Sequence, residues 1–171
     1  YKVSACVCNR VGKNLLNFLI SEGHDIEFVV TCKHDPFENE IYDICKANEI
    51  KCYRYLDVNS QYFIDKIKDQ NIDEGDILVQ EEIEVPITMT ADQLYEKSLN
   101  TIENLFKSSY DSIIKNKITP KKQNSKNSTF HWAKEIETHS CIELQKTYKA
   151  IDLINIIRAR SFQGNPSSYF N

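Results

Sequence analysis

The amino-acid sequence predicts an α/β fold in which helices flank a parallel sheet, followed by a small carboxy-terminal β/α tail. Short apolar runs rich in Val, Ile and Cys alternate with segments of helical periodicity over residues 1–70. This β-α-β-α-β-α order favours parallel strands joined by right-handed crossovers. We therefore expect ligands to bind at the carboxyl ends of the strands, near the loops after Cys8 and Cys32.

The first half of the chain is predicted to hold three strands and three helices. The strands are expected over residues 2–8, 26–32 and 50–56. The first helix follows a loop at Asn9–Gly12, and Asp35-Pro36 starts the second, because a carboxylate followed by proline suits a helix N-terminus. A third helix, capped by Asn59 or Ser60, would carry its apolar residues inward: Phe63, Ile64 and Ile67.

The second half begins with two predicted strands at residues 76–79 and 82–85. Thr90 and Gln93 have the spacing of a capping box and start a long amphipathic helix that ends before Ile118. A polar segment at 121–128 then leads to the tail. The tail is predicted to contain strands at 129–134 and 141–144, a helix at 148–160 and an irregular aromatic loop. The apolar residues of its helix are expected to face the core: Ile151, Leu153, Ile154 and Ile157. We expect one domain at 1–120 and a small subdomain at 121–171.

Composition limits the classes of function. With 41% hydrophobic and 27% charged residues, the 171-residue chain has the profile of a soluble globular protein. Its apolar runs are too short to span a bilayer, and no basic start followed by an apolar stretch marks a signal peptide. The net charge of −4 argues against a nucleic-acid partner.

Six cysteines indicate a cytoplasmic protein with free thiols, because five of them fall within predicted strands or helices rather than loops. Cys6 and Cys8 would share one face of a strand. A metal site needs a second pair at ligand spacing, and the sequence has none, so we expect no metal.

Two stretches carry candidate site residues. In the acidic turn at residues 73–76, Gly75 is expected to supply φ > 0 and to hold Asp73 in a tight turn. A solvated turn is the alternative. Asn9 and Arg10 could contact a ligand after the first strand, or they could only cap and solvate the first helix. Gly12 alone does not make a dinucleotide fingerprint.

The segment Ile72–Gln80 resembles the Asp-x-Gly-x-Ile-x-x-Gln segment of the formyltransferases that use 10-formyltetrahydrofolate. Thr90-Ala91-x-x-Leu94-Tyr95-x-Lys97 and Pro120-x-x-Gln123 are similar to later segments of that family. Leu153-Ile154-x-x-Ile157-Arg158-Ala159-Arg160-x-Phe162, with Pro166 and Tyr169-Phe170, looks like its closing helix and loop.

This resemblance implies a Rossmann-like formyltransferase that acts on a nucleotide-linked dideoxyamino sugar, such as a dTDP-linked one, in surface-glycan (O-antigen) biosynthesis. It implies 10-formyltetrahydrofolate as cosubstrate, with Asp73 as a catalytic residue and Asp73 and Gly75 contacting the folate. No metal, nucleic acid or membrane partner is implied. The short β-rich tail could pair with its twin in a homodimer.

The tail offers candidate partners for the nucleotide. Arg158 and Arg160 could bind phosphates through their planar donors, or could lie at a helix C-terminus for its dipole alone. Trp132, Phe162 and Tyr169 could stack on the base, with core packing as the alternative.

The family's Asn-x-His-Pro-Ser segment is absent, because the four histidines stand in other contexts: His24, His34, His131 and His139. Either the natural protein contains further residues between about 68 and 75, or the deletion is real. The first case predicts an N-formyltransferase and the second a non-catalytic nucleotide-sugar-binding protein. A methionyl-tRNA formyltransferase is a third hypothesis, and it predicts salt-sensitive tRNA binding.

Overall fold

A computed structural model of the chain describes residues 2–32, 34–54, 75–124, 129, 131–132 and 134–171. The chain divides into two compact units. The first comprises residues 1–79 and 103–122, and the second comprises residues 80–102 and 123–171. The division at residue 120 that the sequence indicates stays a prediction.

A parallel sheet of three strands lies at the centre of the first unit. Its strands are β1 (Lys2–Val7), β2 (Asp25–Thr31) and β3 (Cys52–Tyr53), in the order β1-β2-β3. Val7 at the end of β1 lies opposite Thr31 at the end of β2. The connecting helices are α1 (Asn9–Ser21) and α2 (Glu38–Ala47). The predicted α/β class, with a parallel sheet and flanking helices, is confirmed.

The core of this unit forms where the sheet meets its helices. Leu16, Val29, Ile41 and Cys45 are all 0% exposed. Val29, Val30 and Thr31 are buried in succession, so the end of β2 loses the in-out alternation of a half-exposed strand. Consecutive burial is typical of a parallel strand that is covered on both faces.

Residues 9–12 form the first turn of α1, so the loop predicted there is wrong. The Asn9 side-chain oxygen accepts a hydrogen bond from the Val11 amide at 2.8 Å, which satisfies an early helix donor. A Cβ atom at Gly12 would lie 3.0 Å from the Val7 Cβ atom and 3.1 Å from the Val7 carbonyl carbon. Glycine is therefore used at position 12 for close packing of α1 on β1.

Helix α2 begins at Glu38 rather than at Asp35-Pro36. The Asp35 carboxylate accepts hydrogen bonds from the Phe37 amide at 2.9 Å and from the Asn9 amide at 2.5 Å. These contacts hold a turn before α2 and the start of α1. Asp35 is thus engaged elsewhere, and Phe37 occupies the position before the helix.

Residues 75–90 contain no regular strand, so the two strands predicted at 76–79 and 82–85 are wrong. Ile77 forms an antiparallel bridge with Lys121, with N–O distances of 2.8 and 2.9 Å. A strand needs a row of backbone partners, and within the described ranges no other residue of this stretch forms a bridge.

The long helix α3 (Ala91–Ile114) begins at the predicted capping box. The Thr90 amide donates to the Gln93 side-chain oxygen at 3.0 Å, and the Gln93 amide donates to the Thr90 hydroxyl at 3.4 Å. Within the first unit, Phe106 and Tyr110 of α3 make edge-to-face contacts with Phe18 of α1. The helix ends before Ile118, as predicted.

The tail contains α4 (Glu135–Thr138), β4 (Cys141–Ile142), α5 (Ala150–Ala159) and β5 (Tyr169–Phe170). β4 and β5 pair in parallel, which confirms the small β/α tail. The strand predicted at 129–134 is wrong for the described residues, because the Trp132 carbonyl instead accepts a hydrogen bond from the Glu135 amide at the start of α4.

The apolar residues of α5 do not all face a core. Ile151, Ile154 and Ile157 are 44%, 40% and 51% exposed, whereas Leu153 is half-buried. The prediction that all four point inward is therefore wrong. The other elements of the tail are the short helix α4 and the two-stranded sheet of β4 and β5. Together they are too small to cover the whole apolar surface of α5.

Two predictions lie outside the described residues: the helix predicted from Asn59 or Ser60, and Asp73 of the acidic turn. Among the residues that are described, no helix is long and apolar enough to cross a bilayer.

Helices α1 and α3 are joined by a polar contact that predicts a pH effect. The Asn14 side-chain amide donates to Glu103 at 2.8 Å, and this bond, aided by Lys107, holds the pKa of Glu103 below its usual value. A carboxylate with a lowered pKa stabilises the fold above its unfolded-state pKa, and this contribution is lost as the pH falls through the folded-state value. We expect Asn14→Ala to raise the pKa of Glu103 in a carbon-13 NMR titration.

The same substitution is expected to lower the free energy of unfolding at pH 7 but not at a pH below the folded-state pKa of Glu103. Asn17→Ala is the control, because Asn17 is an exposed residue of the same helix. An equal loss of stability at both pH values would contradict this assignment.

Candidate functional site

The carboxyl end of β1 brings Asn9 and Arg10 to the loop edge of the sheet, as the parallel arrangement predicts. Asn9 has φ of 57°, and both its backbone amide and its side-chain oxygen bond within the protein. The side-chain oxygen of Asn9 therefore caps the first helix, which was the alternative to a ligand contact. Arg10 lies near Glu103, because it contributes to the lowered pKa of that carboxyl.

Asp35 also lies at this edge, where the sequence indicated a helix start and no contact with Asn9. Its loop follows β2, and its carboxylate binds the Asn9 amide directly. The Asp-Pro pair is a strong signal for a helix start, and nothing in that local signal indicates the contact with the first turn of α1. The rule that ligands bind where parallel strands end could have identified it.

The acidic turn is described only from Gly75 onward. Gly75 is exposed and does not adopt a positive φ, and no atom of the described residues lies within 4 Å of an added Cβ position. The expectation that Gly75 supplies φ > 0 is therefore wrong. Its predicted contact with a folate stays a prediction, as does the catalytic role of Asp73, which lies outside the described residues.

Within the second unit, Arg158 and Phe162 bind the segment around the start of α3. The Arg158 guanidinium donates to the Pro86 carbonyl at 2.8 Å, and Phe162 stacks edge-to-face on Tyr95 with ring centroids 5.3 Å apart. The Asp92 carboxylate accepts from the Gln163 amide at 3.0 Å to each oxygen. These contacts fix the loop that follows α5 against the N-terminus of α3.

Arg160 and Tyr169 share a cavity of about 480 Å³ that is also lined by Ser140 and Asn165. The Nε atom of Arg160 is buried and has no hydrogen-bond partner among the described residues. Burying a guanidinium N–H costs free energy unless an acceptor bonds to it. This N–H could therefore donate a hydrogen bond to an anionic group of a ligand.

Trp132 lies in a different hollow, of about 450 Å³, with His131, His139 and Glu135. Its side chain is 61% exposed, so it is not a core residue. The tail thus brings Arg160 and Tyr169 together and places Trp132 apart from them. No group of three or more His, Cys, Asp or Glu side chains in the described part of the chain could hold a metal ion.

Residues 135–171 match the family model described as the N-formyltransferase dimerization C-terminal domain. No curated protein matches the sequence.

Solved structures of sugar N-formyltransferases are similar in fold. A 4-N formyltransferase from Francisella tularensis superposes with a TM-score of 0.74 at 19% identity, covering 99% of this chain and 91% of that one. WlaRD, a sugar 3N-formyl transferase crystallised with dTDP and 5-N-formyl-THF, gives 0.74 at 21% identity, with coverage of 95% and 80%. An N-formyltransferase from Helicobacter canadensis, in complex with folinic acid and dTDP-3-aminofucose, gives 0.70 at 19% identity, with coverage of 91% and 78%.

The family resemblance that the sequence motifs indicate is confirmed by these matches. The chain has the fold of the sugar N-formyltransferases, and its residues 135–171 match the C-terminal dimerization domain of that family.

Proposed function

We propose that the natural protein is an N-formyltransferase that moves the formyl group of 10-formyltetrahydrofolate to the amino group of a nucleotide-linked amino sugar. The observation that carries this proposal is the joint match of the fold to sugar N-formyltransferases and of residues 135–171 to their C-terminal domain. The folate and dTDP ligands of the similar structures support the two substrate classes.

In this reaction the amine lone pair attacks the formyl carbon, and the bond from that carbon to the folate nitrogen breaks. The proton lost by the amine ends on the folate nitrogen, and the products are a formamide and tetrahydrofolate. Catalysis requires stabilisation of the tetrahedral oxyanion and a group that relays the proton. By resemblance, Asp73 is assigned to the proton relay, in partnership with a histidine.

For the nucleotide we propose the tail. Arg160 offers a buried donor in the cavity that it shares with Tyr169, which suits a phosphate with an adjoining ring. Arg158 and Phe162 already have protein partners, and we assign them to holding the loop after α5 as well as to the substrate. Trp132, Asn9 and Arg10 remain candidate substrate contacts.

The tail also supports a homodimer. Residues 135–171 expose several apolar side chains, among them Ile136, Ile154, Ile157 and Phe170, which are 52%, 40%, 51% and 72% exposed. Association would remove this surface from water. Light scattering on the purified protein measures the expected doubling of mass.

One observation favours a second candidate, a non-catalytic nucleotide-sugar-binding protein of the same fold. No histidine of the sequence stands in an Asn-x-His segment. The oxyanion formed during formyl transfer would then lack the stabilising imidazole that the resemblance implies. The formyltransferase proposal therefore requires further residues in the natural protein, between about positions 68 and 75.

The deciding experiment combines intact mass, peptide mapping and an assay on the protein produced from its natural gene. The 171 residues weigh 19.9 kDa. A mass several kDa higher, with extra peptides mapping between residues 68 and 75, predicts a formamide product from 10-formyltetrahydrofolate and a dTDP-linked amino sugar. A mass of 19.9 kDa, with sugar-nucleotide binding and no turnover, would support the binding protein instead. Formylation of methionyl-tRNA would favour the third hypothesis.

A further inference from the structure

Two cysteine thiols meet where neighbouring parallel strands end. Cys8 directly follows β1 and Cys32 directly follows β2, and the residues before them, Val7 and Thr31, are opposite one another. Cys8 keeps an extended backbone, with φ of −146° and ψ of 163°, so the strand geometry continues through it. The Cys32 thiol lies close enough to Cys8 to contribute, after burial, to the raised pKa of the Cys8 thiol.

This arrangement fits the geometry of a disulfide. Adjacent strands lie about 4.8 Å apart. That spacing is within the range of about 4.4–6.8 Å between the Cα atoms of bonded cysteines. Both thiols are free, so the pair is a dithiol that needs little backbone movement to close.

The chain contains a second thiol pair that serves as an internal comparison. Cys45 of α2 and Cys52 of β3 are also neighbours, and the Cys52 thiol contributes, after burial, to the raised pKa of Cys45. Cys45 is 0% exposed, whereas Cys32 is exposed and Cys8 is half-buried. Cys52 is half-buried like Cys8, so the two pairs differ in their other members: a reagent in solution can reach Cys32 directly, but it cannot reach Cys45 unless the protein unfolds.

We propose that Cys8 and Cys32 form a redox-modifiable site that reacts with small disulfide oxidants of the glutathione class and closes a bond between the ends of β1 and β2. The exposed Cys32 thiolate attacks one sulfur of glutathione disulfide, and the first glutathione leaves and takes up a proton. The Cys8 thiol then loses its proton and attacks the Cys32 sulfur, which releases the second glutathione. The two protein thiols lose two electrons, and glutathione disulfide is reduced to two thiols.

The environment of Cys8 suits it to the second step, the attack on the mixed disulfide at Cys32. Burial, together with the neighbouring Cys32 thiol and the Asp35 carboxylate, raises the pKa of Cys8 to about 11. A thiol that stays protonated is a poor first nucleophile, but it can still resolve a mixed disulfide held beside it, because the second step is intramolecular.

Closing this bond would tie the first turn of α1, which carries Asn9, to the loop that carries Asp35. The hydrogen bond from the Asn9 amide to Asp35 already links these two segments, so the disulfide would reinforce an existing contact. This proposal depends only on the two thiols and the sheet, so it is independent of whether the protein transfers formyl groups.

The test incubates the folded full-length chain with glutathione disulfide, alkylates the remaining thiols after denaturation, and measures intact mass. We expect a loss of about 2 Da before alkylation, one hydrogen from each of two thiols. We also expect two fewer alkylated cysteines. Trypsin should yield one linked pair of peptides, residues 3–10 with residues 14–33, and fragmentation should place the bond at Cys8 and Cys32.

Matched variants identify the two sulfurs. Cys8→Ser should stop at a glutathione adduct on Cys32, while Cys32→Ser should form no bond. Cys6→Ser should behave as wild type, although Cys6 is also exposed and lies two residues from Cys8. Circular dichroism checks that each variant folds, and the wild-type peptide map does not depend on any variant. A stable glutathione adduct on wild-type Cys32, or a bond mapped to Cys6, Cys45 or Cys52, would overturn the proposal.

Discussion

Asp73→Asn is expected to lower the rate constant for formyl transfer by about 10²–10⁴-fold, the range for loss of a group that moves protons in the transition state. An amide is close to a carboxylate in size, but it cannot accept the proton or stabilise a charged imidazole beside it. The Michaelis constant for the sugar nucleotide should change little, since the role assigned to Asp73 is in the reaction step and not in nucleotide binding. Steady-state assays with 10-formyltetrahydrofolate measure both quantities.

Asp76→Asn is the matched control for this prediction. Asp76 lies in the same acidic turn and is exposed, so the same change in charge should leave the rate constant within about twofold of wild type. If Asp73→Asn retains the wild-type rate, or if both variants lose activity equally, Asp73 does not carry the proton transfer.

Leu16→Ala should lower the free energy of unfolding of the first unit by about 2–5 kcal/mol, the range for deleting a buried leucine side chain. Leu16 is 0% exposed and packs in the cluster that contains Val29 and Ile41, so the surrounding side chains cannot easily fill the space left behind. Chemical denaturation followed by circular dichroism gives the difference in free energy.

Leu78→Ala makes the same chemical change at an exposed position. Leu78 is 44% exposed in a stretch without regular structure, so a loss below about 1 kcal/mol is expected. Similar losses in both variants would mean that Leu16 is not part of the core that holds β1 and β2 to α1.

Local sequence signals predicted the elements whose hydrogen bonds and burial pattern are set by residues close together in the sequence. Thr90 and Gln93 bond each other across one turn, so the start of α3 could be recognised without knowledge of its neighbours. The runs that became β1 and β2 were recognised because a buried parallel strand is apolar along much of its length. Predictions failed where a residue had a distant partner, as with Asp35, which binds the amide of Asn9.

For the candidate site, the sequence indicated residue types but not their grouping. Arg158 and Arg160 are two residues apart, yet one donates to the Pro86 carbonyl and the other faces the cavity with Tyr169. Neighbouring positions on a helix point in different directions, so only their surroundings separate a structural arginine from a candidate anion contact. The thiol pair of Cys8 and Cys32 likewise depends on strand register, which a linear spacing of cysteines does not contain.

The sequence by itself determined the α/β class, the order of its main helices and strands, and the resemblance to formyltransferases, because periodicity, caps and motifs are local properties of the chain. The tertiary structure decided which predicted strands form, which apolar side chains remain exposed on α5, and which polar groups meet at the strand ends. Those outcomes depend on hydrogen-bond partners and packing layers from distant parts of the chain, and a strand or an apolar helix face is stable only where such partners are present.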